Sequence, residues 1–317
     1  MEAEEAVTKI LISGASGFVG SNLAPKLREE GYDVCELLRV TSQNTALFTD
    51  NQKIVGDLLD YSRIEKVVEE IQPEIIVHLA ALTPVRFSWL QPFLYELTNF
   101  NGTYNLIESA KKHLKKFTFV FASTAEVYGK QPADKPLKED AVLHPISPYA
   151  GSKVKAESLV TQLGDFLILR INNTFGRPHS GYFVESMMEQ MLPEYMGGMK
   201  ITRREPVKVN LYNARHKRDY LFIDNHVNAY LHLITGDKTG VFNVAQGSPI
   251  SNVGMVMLMA NILGVDVEIS ERTPDFPRLE DQTNIWQDLT KIHQTGWCPK
   301  VTREEGIRRL RAMYNQS

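Results

Sequence analysis

Short apolar runs alternate with longer stretches in which apolar positions recur every three or four residues, and this rhythm holds through the first half of the chain. The short runs predict strands at Lys9–Ser13, Tyr32–Leu38, Lys53–Val55, Glu74–Ala80, Phe117–Ala122 and Phe166–Ile171. The longer stretches predict helices from about Phe18 to Glu30, stopped by Gly31, from Tyr61 to Ile71, ahead of Pro73, and at Pro92–His113 and Pro148–Leu163. Strands that cross over through helices make a parallel sheet covered on both faces, so the fold expected is α/β and doubly wound.

After Asn172 the texture changes. From Gly176 to Arg218 the chain is rich in Met, Pro and basic residues and shows no strand and helix rhythm, whereas Tyr220–Ile234 and Val241–Val244 again look sheet-associated. The division expected is therefore residues 1–172 plus about 218–245 for the sheet, and about 173–217 and 246–317 for a smaller, interleaved C-terminal lobe.

Composition narrows the function more than the fold. The 317 residues carry 35 Lys and Arg against 38 Asp and Glu, a net charge of −3, and are 43% hydrophobic. That leaves ample core material and no basic excess that would point to nucleic acid. The Met187, Met188, Met191, Met196 and Met199 cluster reads as adaptable core or pocket lining. The 2 cysteines, Cys35 and Cys298, are too few for a disulfide framework or thiolate metal site and read as ordinary apolar residues of a reducing compartment. No apolar stretch approaches the roughly 20 residues of a membrane span. The start, MEAEEAVTK, is acidic where a signal peptide is basic. A cytoplasmic protein without membrane contact is expected. His216 and His226 lack acidic partners at ligand spacing, so no metal is expected.

Between the first strand and the first helix stands GASGFVG, with glycines at Gly14, Gly17 and Gly20. Glycines there allow a tight turn and close backbone approach to a pyrophosphate, while the helix N-terminus offers N–H groups and a positive dipole end. The choice of dinucleotide turns on the end of the second strand, where an acid would accept from a ribose 2′-hydroxyl and an arginine would favour a 2′-phosphate. CELLRVTSQN offers Glu36 but also Arg39 and Ser42 nearer the strand end, which favours NADP over NAD. Asp57 is either a partner of the adenine amino group or a helix N-cap.

The helix after the fifth strand begins SPYAGSKVKAES, which sets Tyr149 and Lys153 four residues apart on one face. An ammonium near a phenol favours the phenolate, and a tyrosine with its ordinary pKa near ~10 is a poor base at neutral pH. The fifth strand ends in ASTAEVYG, bringing the Ser123 and Thr124 hydroxyls and the Glu126 carboxylate to the strand ends that line the ligand crevice of such a sheet.

Together the glycine turn, HLAA at His78–Ala81, TNFNGT at Thr98–Thr103, STAEVYG at Ser123–Gly129, the Tyr149/Lys153 pair, RINNTFG at Arg170–Gly176, KRDYLFIDNHVNAY at Lys217–Tyr230 and the closing PDFPR and TGW segments resemble an extended short-chain dehydrogenase/reductase of the nucleotide-sugar epimerase/dehydratase group, with a Rossmann sheet. The resemblance places NAD(P) against Gly14, Gly17, Phe18, Val19, Gly20, Arg39, Ser42, Asp57, Leu58, Leu79, Ala80, Ala81, Asn99, Tyr149 and Lys153. It places a nucleotide-diphosphate sugar against Ser123, Thr124, Asn173, Arg218 and Arg278. It implies transient oxidation at sugar carbon 4, with Tyr149 taking the hydroxyl proton, and a homodimer built on the Pro92–His113 and Pro148–Leu163 helices.

The keto sugar so formed has three fates. Loss of the carbon 5 proton to Glu126 with elimination of water gives a 4,6-dehydratase, hydride return to the opposite face gives a 4-epimerase, and loss of carbon dioxide from a uronic acid gives a decarboxylase. Dehydratases of the group commonly carry Asp or Ser where this chain has Ala125, the Asp belonging to those with an acid–base pair, whereas a GDP-mannose-type dehydratase needs only Thr and Glu at this strand end, as here. Epimerases usually carry a small or apolar residue where Glu126 sits. The alternatives are an NADPH-dependent reductase of a 4-keto-sugar nucleotide and a non-catalytic dinucleotide-binding module.

Overall fold

The computed structural model describes residues 7–39, 52–130, 135–192, 195–196, 199–200, 205–272 and 284–315. Two of the expected site residues, Ser42 and Arg278, lie outside the described residues, as does part of the methionine cluster's surroundings at 193–194 and 197–198. The chain divides into two units, one of 1–129, 139–171 and 227–243, the other of 130–138, 172–226 and 244–317. The stretch that returns to the sheet unit thus begins at Val227, not near residue 218, and the short segment Lys130–Lys138 goes with the second unit.

The first unit is built on a seven-stranded sheet. Its strands are β1 (Lys9–Ser13), β2 (Asp33–Leu38), β3 (Lys53–Val55), β4 (Ile75–His78), β5 (Thr118–Thr124), β6 (Phe166–Ile171) and the edge strand Gly240–Val244. They lie in the order Gly240–Val244, β6, β5, β4, β1, β2, β3, and every pair from β6 to β3 is parallel. The first crossovers run outward from β1 to β3 and the later ones from β4 to β6. The order therefore reverses between β1 and β4, where ligands of such sheets sit beyond the strand carboxyl ends.

Helix α1 (Gly20–Glu29) buries Leu23, Ala24 and Leu27, and α2 (Tyr61–Ile71) buries Ile64, Val67 and Val68. Each such aliphatic side chain contributes about 1.5–3 kcal/mol when fully buried. Asp60 caps α2 by accepting from the Arg63 amide at 3.0 Å, and the helix ends at Gln72 in a left-handed conformation ahead of Pro73. Under one face of the sheet the α2 residues Ile64, Val67 and Val68 join Leu11, Leu37, Ile76, Leu106, Ile107, Phe119, Phe121, Val160 and Ile168 in one core. Cys35 belongs to this core, and burial pushes its thiol up, whereas Cys298 is exposed and so departs from the apolar role expected of it.

The Pro92–His113 stretch is not one regular helix. An α turn at Pro92–Tyr95 passes into a π segment at Glu96–Asn101 and returns to α geometry at Gly102–His113. Such widened turns are rare and re-aim the side chains they carry.

The second unit has more regular structure than its composition foretells. It holds a helix at Phe183–Met191 that buries Met187, Met188 and Met191, a parallel pair of strands at Val207–Leu211 and Val267–Glu271, and helices at Asn252–Leu263 and Arg303–Tyr314. Fully buried Asp219 accepts from the Gly247 and Ser248 amides and faces Arg303 at 3.6 Å. No helix of the described residues is long and apolar enough to cross a membrane.

Candidate active site

The glycine turn leaves β1 at the switch point. Gly14 has φ +75°, and a β-carbon on it would lie 2.6 Å from the Ala80 nitrogen. A β-carbon on Gly20 would lie 2.4 Å from the Gly14 oxygen. Only glycine satisfies both positions, since real side chains do not tolerate such contacts and L-residues seldom adopt that φ. The turn is pinned by Gly17 N–H donating to Gly14 O and by Leu79 N–H donating to Ser13 O, each at 3.0 Å. No side chain caps the N-terminus of α1, and its first turn carries no acid. This is a cradle shaped for an anionic group, with Phe18, Val19, Leu79, Ala80 and Ala81 half-buried around it.

At the next strand ends, Asp57 does not cap α2, a role taken by Asp60. Its carboxylate accepts from the Leu59 amide at 2.9 Å, and neighbouring Leu58 packs beneath Gly102. Glu36 is held by Arg28 in an ion pair of 2.7 Å, so the carboxylate of β2 is already committed. The strand closes with buried Leu38 followed by Arg39.

Thr124 ends β5, and its hydroxyl oxygen accepts from the Glu126 amide at 3.2 Å, which leaves the hydroxyl proton as a donor. Glu126 follows in a single 3₁₀ turn, Ala125–Tyr128, and is half-buried. Strand alternation turns Ser123 the other way. Its hydroxyl donates to the buried Glu157 carboxylate, and Glu157 in turn forms a two-pronged ion pair with Arg170, 2.7 Å at the shortest. The Ser123 hydroxyl is thus committed to the interior, on Glu157.

The Pro148–Val160 helix begins with Ser147 accepting from the Ala150 amide at 3.1 Å and Pro148 in the first turn, a strong start signal that fixes where Tyr149 sits. Tyr149 is 7% and Lys153 2% exposed. The Lys153 ammonium lies 4.8 Å over the Phe121 ring and donates to the Ala122 carbonyl at 2.9 Å. Burial pushes Lys153 down to about 7, opposed by the Glu157 carboxylate one turn along. The Tyr149 ring meets the edge of Tyr95, whose hydroxyl donates to Pro84 O at 2.6 Å.

Asn99, expected at the nicotinamide end, is buried in the π segment with its carboxamide engaged internally. Its oxygen accepts from Leu82 N at 2.8 Å, and its nitrogen donates to Leu82 O and to the Ser152 hydroxyl, both at 3.0 Å. Ser152 and Glu157 carry no motif of their own. The signal available for Glu157 was its spacing of one helical turn from Lys153.

The remaining expected residues belong to the second unit. Asn173 is exposed, with its amide held by Asn172, and Arg218 is buried, donating to the Lys217 carbonyl at 2.9 Å. Among the described residues, no three His, Cys, Asp or Glu side chains gather to hold a metal.

Known proteins share this architecture along the whole chain. A family profile described as GDP-mannose 4,6 dehydratase matches residues 11–310. The GDP-6-deoxy-D-mannose reductase of Pseudomonas aeruginosa is 29% identical, over 95% of each chain. The dTDP-glucose 4,6-dehydratase of Haemophilus influenzae is 27% identical over 96% of this chain and 97% of its own. The crystal structure of Thermotoga maritima UDP-glucose 4-epimerase with UDP-glucose superposes with a TM-score of 0.81 at 28% identity, covering 98% of this chain and 99% of that one. With its cradle, its strand-end threonine and its paired tyrosine and lysine, the chain belongs to the GDP-mannose 4,6-dehydratase family, within the extended short-chain dehydrogenases/reductases that act on nucleotide sugars with NAD(P).

Proposed function

We propose that the protein is a nucleoside-diphosphate-hexose 4,6-dehydratase. The observation that carries this reading is the half-buried Glu126 carboxylate two residues beyond Thr124, in the 3₁₀ turn that Thr124 caps, on the unit that also holds the Tyr149/Lys153 pair. When bound, the nicotinamide supplies a reversible hydride acceptor. Tyr149 takes the proton of the sugar 4-hydroxyl, and Thr124 donates a hydrogen bond to the same oxygen. Lys153 stabilises the phenolate across one helical turn. Glu126 then removes the carbon 5 proton, acidified by the neighbouring ketone, and passes it to the departing carbon 6 hydroxyl, which leaves as water. Hydride return to carbon 6, with a solvent proton added at carbon 5, gives the 4-keto-6-deoxy sugar.

NADP is the proposed cofactor, because Glu36 is committed to Arg28, and the strand closes with Leu38 and Arg39 in place of an acid for the ribose 2′-hydroxyl. The proposed assembly is a homodimer, supported by the apolar row Phe87, Leu90, Phe93 and Leu94 on the first unit's surface. Free Cys35 and Cys298 thiols fit the reducing cytoplasm.

The test is incubation of purified protein with UDP-, GDP-, dTDP- and CDP-hexoses in deuterated water. Loss of one water with deuterium at carbon 5, abolished in Tyr149→Phe and in Glu126→Gln, is the expected result. An isomer of unchanged mass would replace the reading by 4-epimerisation, the second reading, which the overall likeness to the Thermotoga enzyme favours. Consumption of NADPH by a 4-keto sugar, or release of carbon dioxide from a uronic acid, would replace it by reduction or decarboxylation. Binding without turnover would leave a sensing module.

A further inference from the structure

A line of buried hydrogen bonds crosses the switch point and ends at the catalytic helix. Ser13 and His78 are the last residues of β1 and β4 and face each other in register. The Ser13 hydroxyl lies 2.6 Å from His78 Nδ1, and His78 Nε2 lies 2.9 Å from the Thr103 hydroxyl. Thr103 donates its single proton to the Asn99 carbonyl at 2.6 Å. All four residues are at most 1% exposed.

The direction of every bond follows from that last one. A carbonyl only accepts, so the Thr103 proton is spent on Asn99, and the Thr103 oxygen must accept from His78 Nε2–H. His78 Nδ1 is then bare and accepts from Ser13. Phe119 and Phe121 flank the ring at 5.9 and 5.8 Å, and burial, aided by the Lys153 charge, pushes the imidazole down to about 3, so it stays neutral. One tautomer satisfies the whole line.

The far end of the line is the π segment. Asn99 lies in that widened turn, where Thr103 holds its carbonyl while its carboxamide clasps Leu82 and donates to Ser152. Ser152 passes its own proton to the carbonyl of Tyr149 at 2.7 Å. A directed chain thus runs from the strand ends through His78, Thr103, Asn99 and Ser152 to the backbone of the tyrosine.

We propose that His78 is a positioning residue, which through Thr103 and the Asn99 clasp sets the place of Tyr149 against Lys153 and the strand end. It touches neither substrate nor cofactor. The proposal rests on the catalytic reading of Tyr149 given above, so its test includes a measurement that needs no substrate.

Thr103→Val keeps the shape and removes the acceptor, Thr103→Ser restores it, and His78→Phe breaks the same link from the other side. Expected for Thr103→Val is a kcat lower by about tenfold with KM within about twofold, as for a small misplacement of a reacting group. Thr103→Ser regains most of the loss, and the double variant with His78→Phe is no worse than the poorer single one. In protein carrying ¹³Cζ-tyrosine, with the Tyr149 signal assigned by its absence in Tyr149→Phe, the midpoint of that signal's titration shifts in Thr103→Val and returns in Thr103→Ser. Should His78→Phe not fold, Ser13→Ala replaces it, and a smaller loss in the same direction is expected. Unchanged kcat and an unchanged Tyr149 midpoint in Thr103→Val overturn the proposal. So does a loss that merely follows the unfolded fraction. If the wild type turns over no sugar nucleotide, the function fails, and the tyrosine titration alone decides whether the line positions Tyr149.

Discussion

Lys153 donates to the Ala122 carbonyl at 2.9 Å, so the Pro148–Val160 helix is tied by its ammonium to the strand that ends two residues later in Thr124. The tie holds a charge in a place where charge is costly, and its protonation is coupled to folding. Burial brings Lys153 to about 7, against roughly 10.4 in an unfolded chain. Between those values the unfolded chain binds a proton that the folded one has released. Stability on this account rises with pH from about 7 and is lost as pH falls back toward it. Urea unfolding of the cofactor-free protein at pH 7, 8 and 9 is expected to show this gradient, at most about 1.4 kcal/mol per pH unit, and Lys153→Met is expected to flatten it.

Glu157 neutralises buried Arg170 and accepts from Ser123. Glu157→Gln leaves a guanidinium that is 5% exposed without its counter-charge. A cost of about 3–5 kcal/mol in chemical denaturation is expected. Pairing Glu157→Leu with Arg170→Met should recover most of it, because the desolvated charge is then gone as well.

Two imidazoles, His78 in the first unit and His226 in the second, are each pushed down to about 3 by burial. Their values in an unfolded chain are near ~6.5, so the unfolded state takes up protons that the folded state refuses as pH falls through that range. Stability on this account is present above 6.5 and is lost toward pH 3. Comparing unfolding free energies between pH 6.5 and 4.5 should reveal uptake of about two protons from this source, and His226→Gln should remove about one.

Gly14→Ala adds a β-carbon 2.6 Å from the Ala80 nitrogen at a φ of +75°. Gly31 supplies the control, since it has φ +89° but open space around it. Both alanine variants are expected to lose about 1–2 kcal/mol from backbone conformation. Only Gly14→Ala is expected to lose dinucleotide affinity as well, by tenfold or more, read by isothermal titration.

Phe93 is 76% exposed, with Phe87 and Leu90 beside it at 57% and 51%. Phe93→Glu is expected to convert a dimer into a monomer in sedimentation velocity, with the helical content unchanged. A wild type that sediments as a monomer would remove the dimer assignment.

Strand positions were legible to within two residues because buried parallel strands are short, continuous apolar runs, and Lys9–Ser13 and Phe166–Ile171 fall where their sequence puts them. The π segment was not legible, because the apolar spacing from Pro92 to His113 is that of an ordinary helix. Within it Asn99 clasps Leu82, seventeen positions back in the chain, a contact that no local pattern encodes. The same limit applies to Glu36, which looks available for a ribose until Arg28 takes it. Ser123 could have been placed correctly from strand alternation alone, once Thr124 was assigned to the crevice. In the second unit the Phe183–Met191 helix is only nine residues long, too short to display a clear period.

Each unit is assembled from three separate stretches of chain. No single contiguous segment therefore carries one unit whole without also carrying part of the other. Exchanging one unit with that of a relative needs cuts at every crossing of the chain, whereas point substitution needs none. In this fold new specificities are reached more readily by side-chain change within an intact thread than by shuffling of parts.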